Sequence, residues 1–333
     1  MRRVWLAAAV GAALTSATAS AHHGVAAVSV AGPEGPGAAL DATSPLPLPQ
    51  GLAFAMLKSE YVPFQQRAGF SNQKTFSSFN LAALGYGVLP WLSAYVFQPY
   101  NLKAQDGLGR NGGAGDTNLM LAAGFKYDEG LRLVPERESL DELEDWHFSV
   151  WASCTLPVGA TTRRDDHDRS FAPDMQTGFG APSPAVGLAV LKQLAGAVTA
   201  IGEINYQHFF THDYGGAGLE YRFGGETRLN GALVFRAVGA GSFRLDVTTE
   251  LGGLHLQRDR SSAGTGRLEA LRASGGAILY GTAGLRATYG SFSAALGAKR
   301  ALASRLNEGA AQQGSEGLEV LRAALTVSYS TRL

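Results

Sequence analysis

Side chains with the types and spacing for acid–base chemistry fall in two places. Asp165, Asp166, His167 and Asp168 are consecutive, and His208, His212 and Asp213 lie close together. An imidazole within hydrogen-bond reach of a carboxylate can act as a general base toward a hydroxyl or a water. Neither place carries a serine in a His-x-Ser setting, so a solvated polar loop is the plainer reading of both. A third candidate is the pair His22 and His23. If His22 begins the processed chain, its amine, its imidazole and His23 offer nitrogen ligands that suit Cu(II) or Ni(II). The plainer reading there is a polar start to the chain. The single thiol, Cys154, provides neither a disulfide nor a metal framework. The expectation is therefore no enzyme, no catalytic residue and no cofactor, with a hydrolase at the rim of the fold as the alternative.

A larger polar set recurs at alternate positions: Lys126, His147, Glu203, Asn205, Arg228, Arg236, Arg244, Asp246, Glu250, Arg286 and Arg322. In residues 117–127, Thr117, Leu119, Leu121, Ala123, Phe125 and Tyr127 form one face against Asn118, Met120, Ala122, Gly124 and Lys126. In 243–251, Phe243, Leu245, Val247, Thr249 and Leu251 oppose Arg244, Asp246, Thr248 and Glu250. Period two means strands with unlike faces. On such strands the polar set lines one side of a sheet. Charges facing each other there pair across strands and stiffen the wall; unpaired ones set ion preference, as in pores. Cations outnumber acids in the set, which favours anions. A neutralised, filled interior is the alternative.

The chain has 333 residues, 43 of them glycine, and a formal net charge of zero. No basic field points to nucleic acid. Charged residues are 17%, below the roughly one quarter usual in soluble chains. Residues 1–21 carry two arginines, an apolar stretch over 4–14 and an Ala19-Ser20-Ala21 cleavage site. That is the pattern of a secretory signal peptide, and the apolar stretch is too short to span a bilayer. Residues 22–50 are rich in proline and glycine, with Pro45, Pro47 and Pro49 at alternate positions. Each proline removes a backbone donor, so the stretch is excluded from a sheet interior and is expected to form a periplasmic arm. The remainder, 51–333, is expected to be one domain.

The alternating segments are near the 9–11 residues that cross a bilayer at a tilt, and aromatics gather toward their ends, as at bilayer interfaces. Strands are expected near 52–62, 75–88, 91–101, 116–127, 145–157, 183–193, 196–210, 228–238, 242–255, 275–289, 291–300 and 318–333. Short connections at 89–90, 194–195, 239–241 and 290 alternate with long ones. The exception is 128–144, a long acidic connection on the short-turn side, where Ser139 and Glu142 suit the start of a short helix. In lipid every backbone amide needs a partner within the protein, so the sheet must close. The fold class expected is all-β: a single transmembrane antiparallel up-and-down β-barrel of about twelve strands, in the outer membrane of a Gram-negative bacterium.

Gly113-Ala114-Gly115-Asp116 followed by a strand ending Phe125-Lys126-Tyr127 resembles the G-x-G-D…K-Y segment of the outer-membrane family named for the MetA pathway of phenol degradation. Leu156-Pro157-Val158-Gly159 is similar to that family's L-P-x-G, and Pro173-Asp174-Met175-Gln176-Thr177-Gly178-Phe179-Gly180 to one of its loops. The resemblance is strongest over 84–192. It implies a barrel and transport of small, including aromatic, organic molecules; it carries no catalytic residue. The expected function is a channel or transporter for small solutes. The expected partners are outer-membrane lipid, lipopolysaccharide, the barrel-assembly machinery and the solute. A barrel with a plugged lumen is the structural alternative.

Overall fold

The computed structural model describes residues 38–66, 68, 73–107, 109–135, 145–214, 219–262, 267–307 and 318–333. The chain is all-β, with 12 antiparallel strands closing into a barrel. We number them β1 (Leu52–Pro63), β2 (Lys74–Leu89), β3 (Leu92–Gln105), β4 (Thr117–Tyr127), β5 (Trp146–Leu156), β6 (Ser183–Ala195), β7 (Val198–Gln207), β8 (Glu226–Ala240), β9 (Phe243–Leu256), β10 (Gly276–Tyr289), β11 (Phe292–Leu306) and β12 (Arg322–Arg332). Sequential neighbours pair throughout, and β1 pairs with β12 from Leu52↔Arg332 to Tyr61↔Ala323. Closure leaves no unpaired edge among these strands, the condition a sheet must meet in hydrocarbon.

Glycines set the tight turns. Gly241 and Gly290 adopt φ of +57° and +56° between β8 and β9 and between β10 and β11, a backbone region that costs glycine nothing. The opposite end carries the long connections. At the short-turn end, part of the exceptional 128–144 connection is described: Leu131–Leu133 pairs back on Phe125, Lys126 and Tyr127. Ser139 and Glu142, like residues 1–37 with the signal-peptide cleavage site, lie outside the described residues.

The wall is apolar outside and polar inside. Leu121 and Val150 are 55% and 52% exposed, whereas Arg286, His147 and Asp246 are fully buried. Tyr86, Tyr127, Trp146, Tyr289, Phe292 and Tyr329 are exposed at the short-turn end, the position of an interfacial girdle.

Residues 38–50 differ from the expected periplasmic arm. Ala39, Ala42, Thr43 and Leu48 are buried against the inner wall. The prolines keep this stretch out of the sheet, but an irregular backbone can sit at membrane depth where protein surrounds it.

Candidate functional site: a filled barrel interior

The backbone donors that the prolines leave on residues 38–50 meet side chains of the wall. The amides of Leu40, Asp41 and Ala42 all donate to the Glu250 carboxylate of β9. The amide and hydroxyl of Thr43 donate to Glu203 of β7 at 2.9 and 2.8 Å. The Leu48 amide donates to Ser93 Oγ at 2.7 Å. The Arg286 guanidinium donates to the Ala39 carbonyl at 3.0 Å. The Asp41 carboxylate accepts from Thr282 Oγ1 at 2.9 Å and lies 3.1 Å from Lys299 Nζ and 3.9 Å from Lys58 Nζ. Buried charge is costly unless paired and hydrogen-bonded, and these groups are so arranged.

The same stretch also fits apolar seats. Leu48 packs among Phe54, Met56, Tyr95, Phe97, Met120 and Trp151, while Ala39, Ala42 and Leu46 meet Leu191, Ile201, Ala232 and Val234. Room comes from glycines of the inner wall. A Cβ on Gly87 would stand 2.0 Å from the Pro49 carbonyl oxygen, and one on Gly124 would stand 2.7 Å from Pro47 Cδ. The space left beside Asp41, Lys58, Lys299 and Arg322 is about 20 Å³, room for about one water.

The remaining candidates on the polar face are buried or half-buried, and many carry acidic or amide partners. Lys126 pairs with Asp145 at 2.9 Å, and His147 Nδ1 lies 3.2 Å from the Asp145 carbonyl oxygen. Asn205 donates to Glu203 at 3.0 Å. Arg228 pairs with Glu226 at 2.6 Å, Arg244 with Asp246 at 2.7 Å, and Arg322 with Glu319 at 3.0 Å. Arg236 is half-buried near the short-turn end of β8. Local acids thus neutralise most of the cation excess. Asp41, Lys58 and Lys299 were missed in the sequence. The two lysines sit at inward positions of the alternating pattern, so the pattern extended to β1 and β11 would have found them; nothing local marks Asp41.

At the long-connection end, loop 157–182 covers the mouth. Lys103 donates to the carbonyls of Asp174 and Gln176, each at 2.8 Å. Asn111 donates to Met175 O at 2.8 Å, and Lys74 pairs with the Asp174 carboxylate at 2.8 Å. The three motifs singled out in the sequence meet here. The Asp116 carboxylate accepts from the amides of Gly159 at 2.7 Å and Phe179 at 2.6 Å. Burial is the main influence on this group and raises its pKa above the ordinary 3.8.

The rim histidines and carboxylates form local contacts. Arg169 pairs with Asp165 and Arg164 with Asp168. His208 Nδ1 is 3.4 Å from the Tyr206 hydroxyl, and His212 Nε2 is 3.2 Å from Thr161 Oγ1. Asp213 lies opposite Glu220 in a small four-stranded cap sheet. Among the described residues no group of three His, Cys, Asp or Glu could hold a metal ion. His22 and His23 lie outside the described residues.

No protein-family model and no curated protein matches the sequence. Among solved structures, the chain is similar to the COG4313 outer membrane channel from Pseudomonas putida F1, with a TM-score of 0.62 and 13% identity over 88% of this chain and 100% of that one. The two share a fold. The beta domain of the Bordetella autotransporter BrkA (TM-score 0.42, 11% identity, 85% of this chain and 100% of that one) and the NanC porin (0.41, 8%, 84% and 100%) are more distant.

Proposed function

We propose that the chain is an outer-membrane channel for small organic solutes, aromatic ones included, with residues 38–50 as a removable stopper. The observation that carries this is the apolar seat of Leu48. Phe54, Tyr95, Phe97 and Trp151 turn inward there, against the polar habit of the inner face. Seats of this kind suit small apolar ligands, with few polar groups to orient them. The stopper is held by hydrogen bonds and ion pairs from side chains of the wall, contacts that can be exchanged for water. The resemblance of its three motifs to the MetA-pathway phenol-degradation family supports the same reading, as does the fold shared with a channel. On this reading the chain crosses the inner membrane by its signal peptide, is inserted by the barrel-assembly machinery and lies in outer-membrane lipid.

A structural barrel with a permanently filled lumen is the second reading, favoured by the small residual space beside Asp41. One experiment separates the two: planar-bilayer conductance and phenol uptake into vesicles, for the full chain and for a chain lacking residues 38–50. The channel reading expects the deletion to raise both signals. Neither current nor phenol entry in either protein, with folding verified by heat-shifted gel mobility, would overturn it.

A further inference from the structure

Two cations break the apolar rule of the outer wall near its loop end. Along the outward positions of β1 to β12, the formally charged side chains are Lys192, Arg300 and Arg305. Arg110, on the short strand Gly109–Ala114 beside β3, is also exposed and lies over the Phe76 ring at 5.6 Å. Lys192, near the short-turn end of β6, lies over the Trp146 ring at 4.8 Å. Arg300 and Arg305 are exposed and have no acidic partner among the described residues. An odd spacing on a regular strand would send them to opposite faces. Between them the register shifts: Leu279 faces Ala303 while Tyr280 faces Ala301, so Leu302 is bulged out. A bulge re-aims the side chains that follow it, and this one brings Arg305 to the outer face with Arg300. Their α-carbons are then separated by about four strand steps, roughly 13 Å.

Beside Arg305 the wall is hollowed. Thr227, His255, Ala277 and Arg305 lie in register across β8 to β11, and Leu229, Gly253, Leu279 and Ala303 lie in the next outward row toward the short-turn end. Gly253 between Leu229 and Leu279, with Ala277 and Ala303 beside it, leaves a groove of about 480 Å³ open to the outside. This groove is below Arg305 and above the row of Arg300, which faces Gly281 two strand steps nearer the short turns than Leu279. It is complementary to an acyl chain under a phosphate on Arg305, and the stem of Arg300 is long enough to span those two steps back to headgroup level. The groove lies at the long-loop end, which in barrels of this type faces the cell exterior.

We propose that this face binds lipid A of lipopolysaccharide, with Arg300 and Arg305 on the two headgroup phosphates and an acyl chain in the groove at Gly253. The proposal rests on the outer-membrane placement but not on conduction, so a silent conductance experiment leaves it standing. Native mass spectrometry of the full chain in detergent measures it, with bisphosphorylated lipid A, monophosphoryl lipid A and phosphatidylglycerol as probes. The wild type is expected to hold bisphosphorylated lipid A at least tenfold more tightly than phosphatidylglycerol, with the monophosphoryl form between. The double variant Arg300→Gln/Arg305→Gln should lose that tenfold preference, and Gly253→Leu should weaken all three probes by filling the groove. Equal affinity for lipid A and phosphatidylglycerol in the wild type would overturn the proposal, and this comparison needs no variant to fold. So would undiminished preference in the double variant.

Discussion

Asp116 shows how one motif carboxylate can tie distant loops together. Its carboxylate is the point at which three separated segments join: its own strand entry, Gly159 and Phe179. The glycines are required by the closeness of the join. A Cβ on Gly178 would stand 2.6 Å from the Gly159 carbonyl oxygen and 2.7 Å from Asp116 Oδ1. Overpacking of this kind costs about 1–3 kcal/mol, so Gly178→Ala should lower the urea midpoint. Gly130→Ala, with nothing within 4 Å of the new methyl, should leave it within about 0.5 kcal/mol. Asp116 also predicts a pH dependence. Burial raises its pKa in the folded protein, so folding favours the protonated form. The stabilisation is full below the unfolded carboxyl value and is lost as pH rises through the raised folded value. The difference in urea midpoint between wild type and Asp116→Asn, measured across that window, should therefore fall with rising pH. A flat difference would show that the carboxyl does not titrate differently on folding.

Among the elements, residues 38–50 are set apart by how they are held. The Glu250 carboxylate takes three successive amides, and an amide side chain has only one acceptor oxygen to replace it. Glu250→Gln should leave at least one buried donor unmatched, a loss of about 1–3 kcal/mol. The expected readout is faster protease cleavage near residue 40 with the barrel itself intact. The strands were legible in the sequence because a lipid-facing wall writes its parity residue by residue. Lys126, His147, Asp246 and Glu250 on the polar side and Leu121 and Val150 on the other all follow from period two. The stopper was not legible. Pro45, Pro47 and Pro49 state where the chain does not go, but its place is decided by Glu203, Glu250 and Ser93, far away in sequence. The bulge at Leu302 was hidden too, since parity alone turns Arg305 inward. The meeting of three motifs at Asp116 was equally hidden, because loops carry no period that reveals their partners.

For the molecule as a whole, the decisive property is an exterior suited to acyl chains along most of its height and to a charged headgroup at one place. A cation on the lipid face costs about 2–4 kcal/mol at the bilayer midplane and about 0–1 kcal/mol near the interface. Leu285, 48% exposed, sits between Val247 and Leu296 partway up the wall from the Tyr289 girdle. Leu285→Arg should therefore lower unfolding free energy by about 2–4 kcal/mol in phosphatidylcholine vesicles. Arg300 lies beyond the middle of β11 toward the loop end, so in the same vesicles Arg300→Leu should change stability by less than about 1 kcal/mol. Adding lipid A to the vesicles should separate the two substitutions further. Wild type gains stability from a ligand that binds only its folded form, and Arg300→Leu forfeits part of that gain. The Leu285→Arg penalty, set by hydrocarbon depth, should stay as it was. Equal penalties for both substitutions in plain phosphatidylcholine would mean that depth does not govern this wall, and the orientation of the barrel in the bilayer would have to be redrawn.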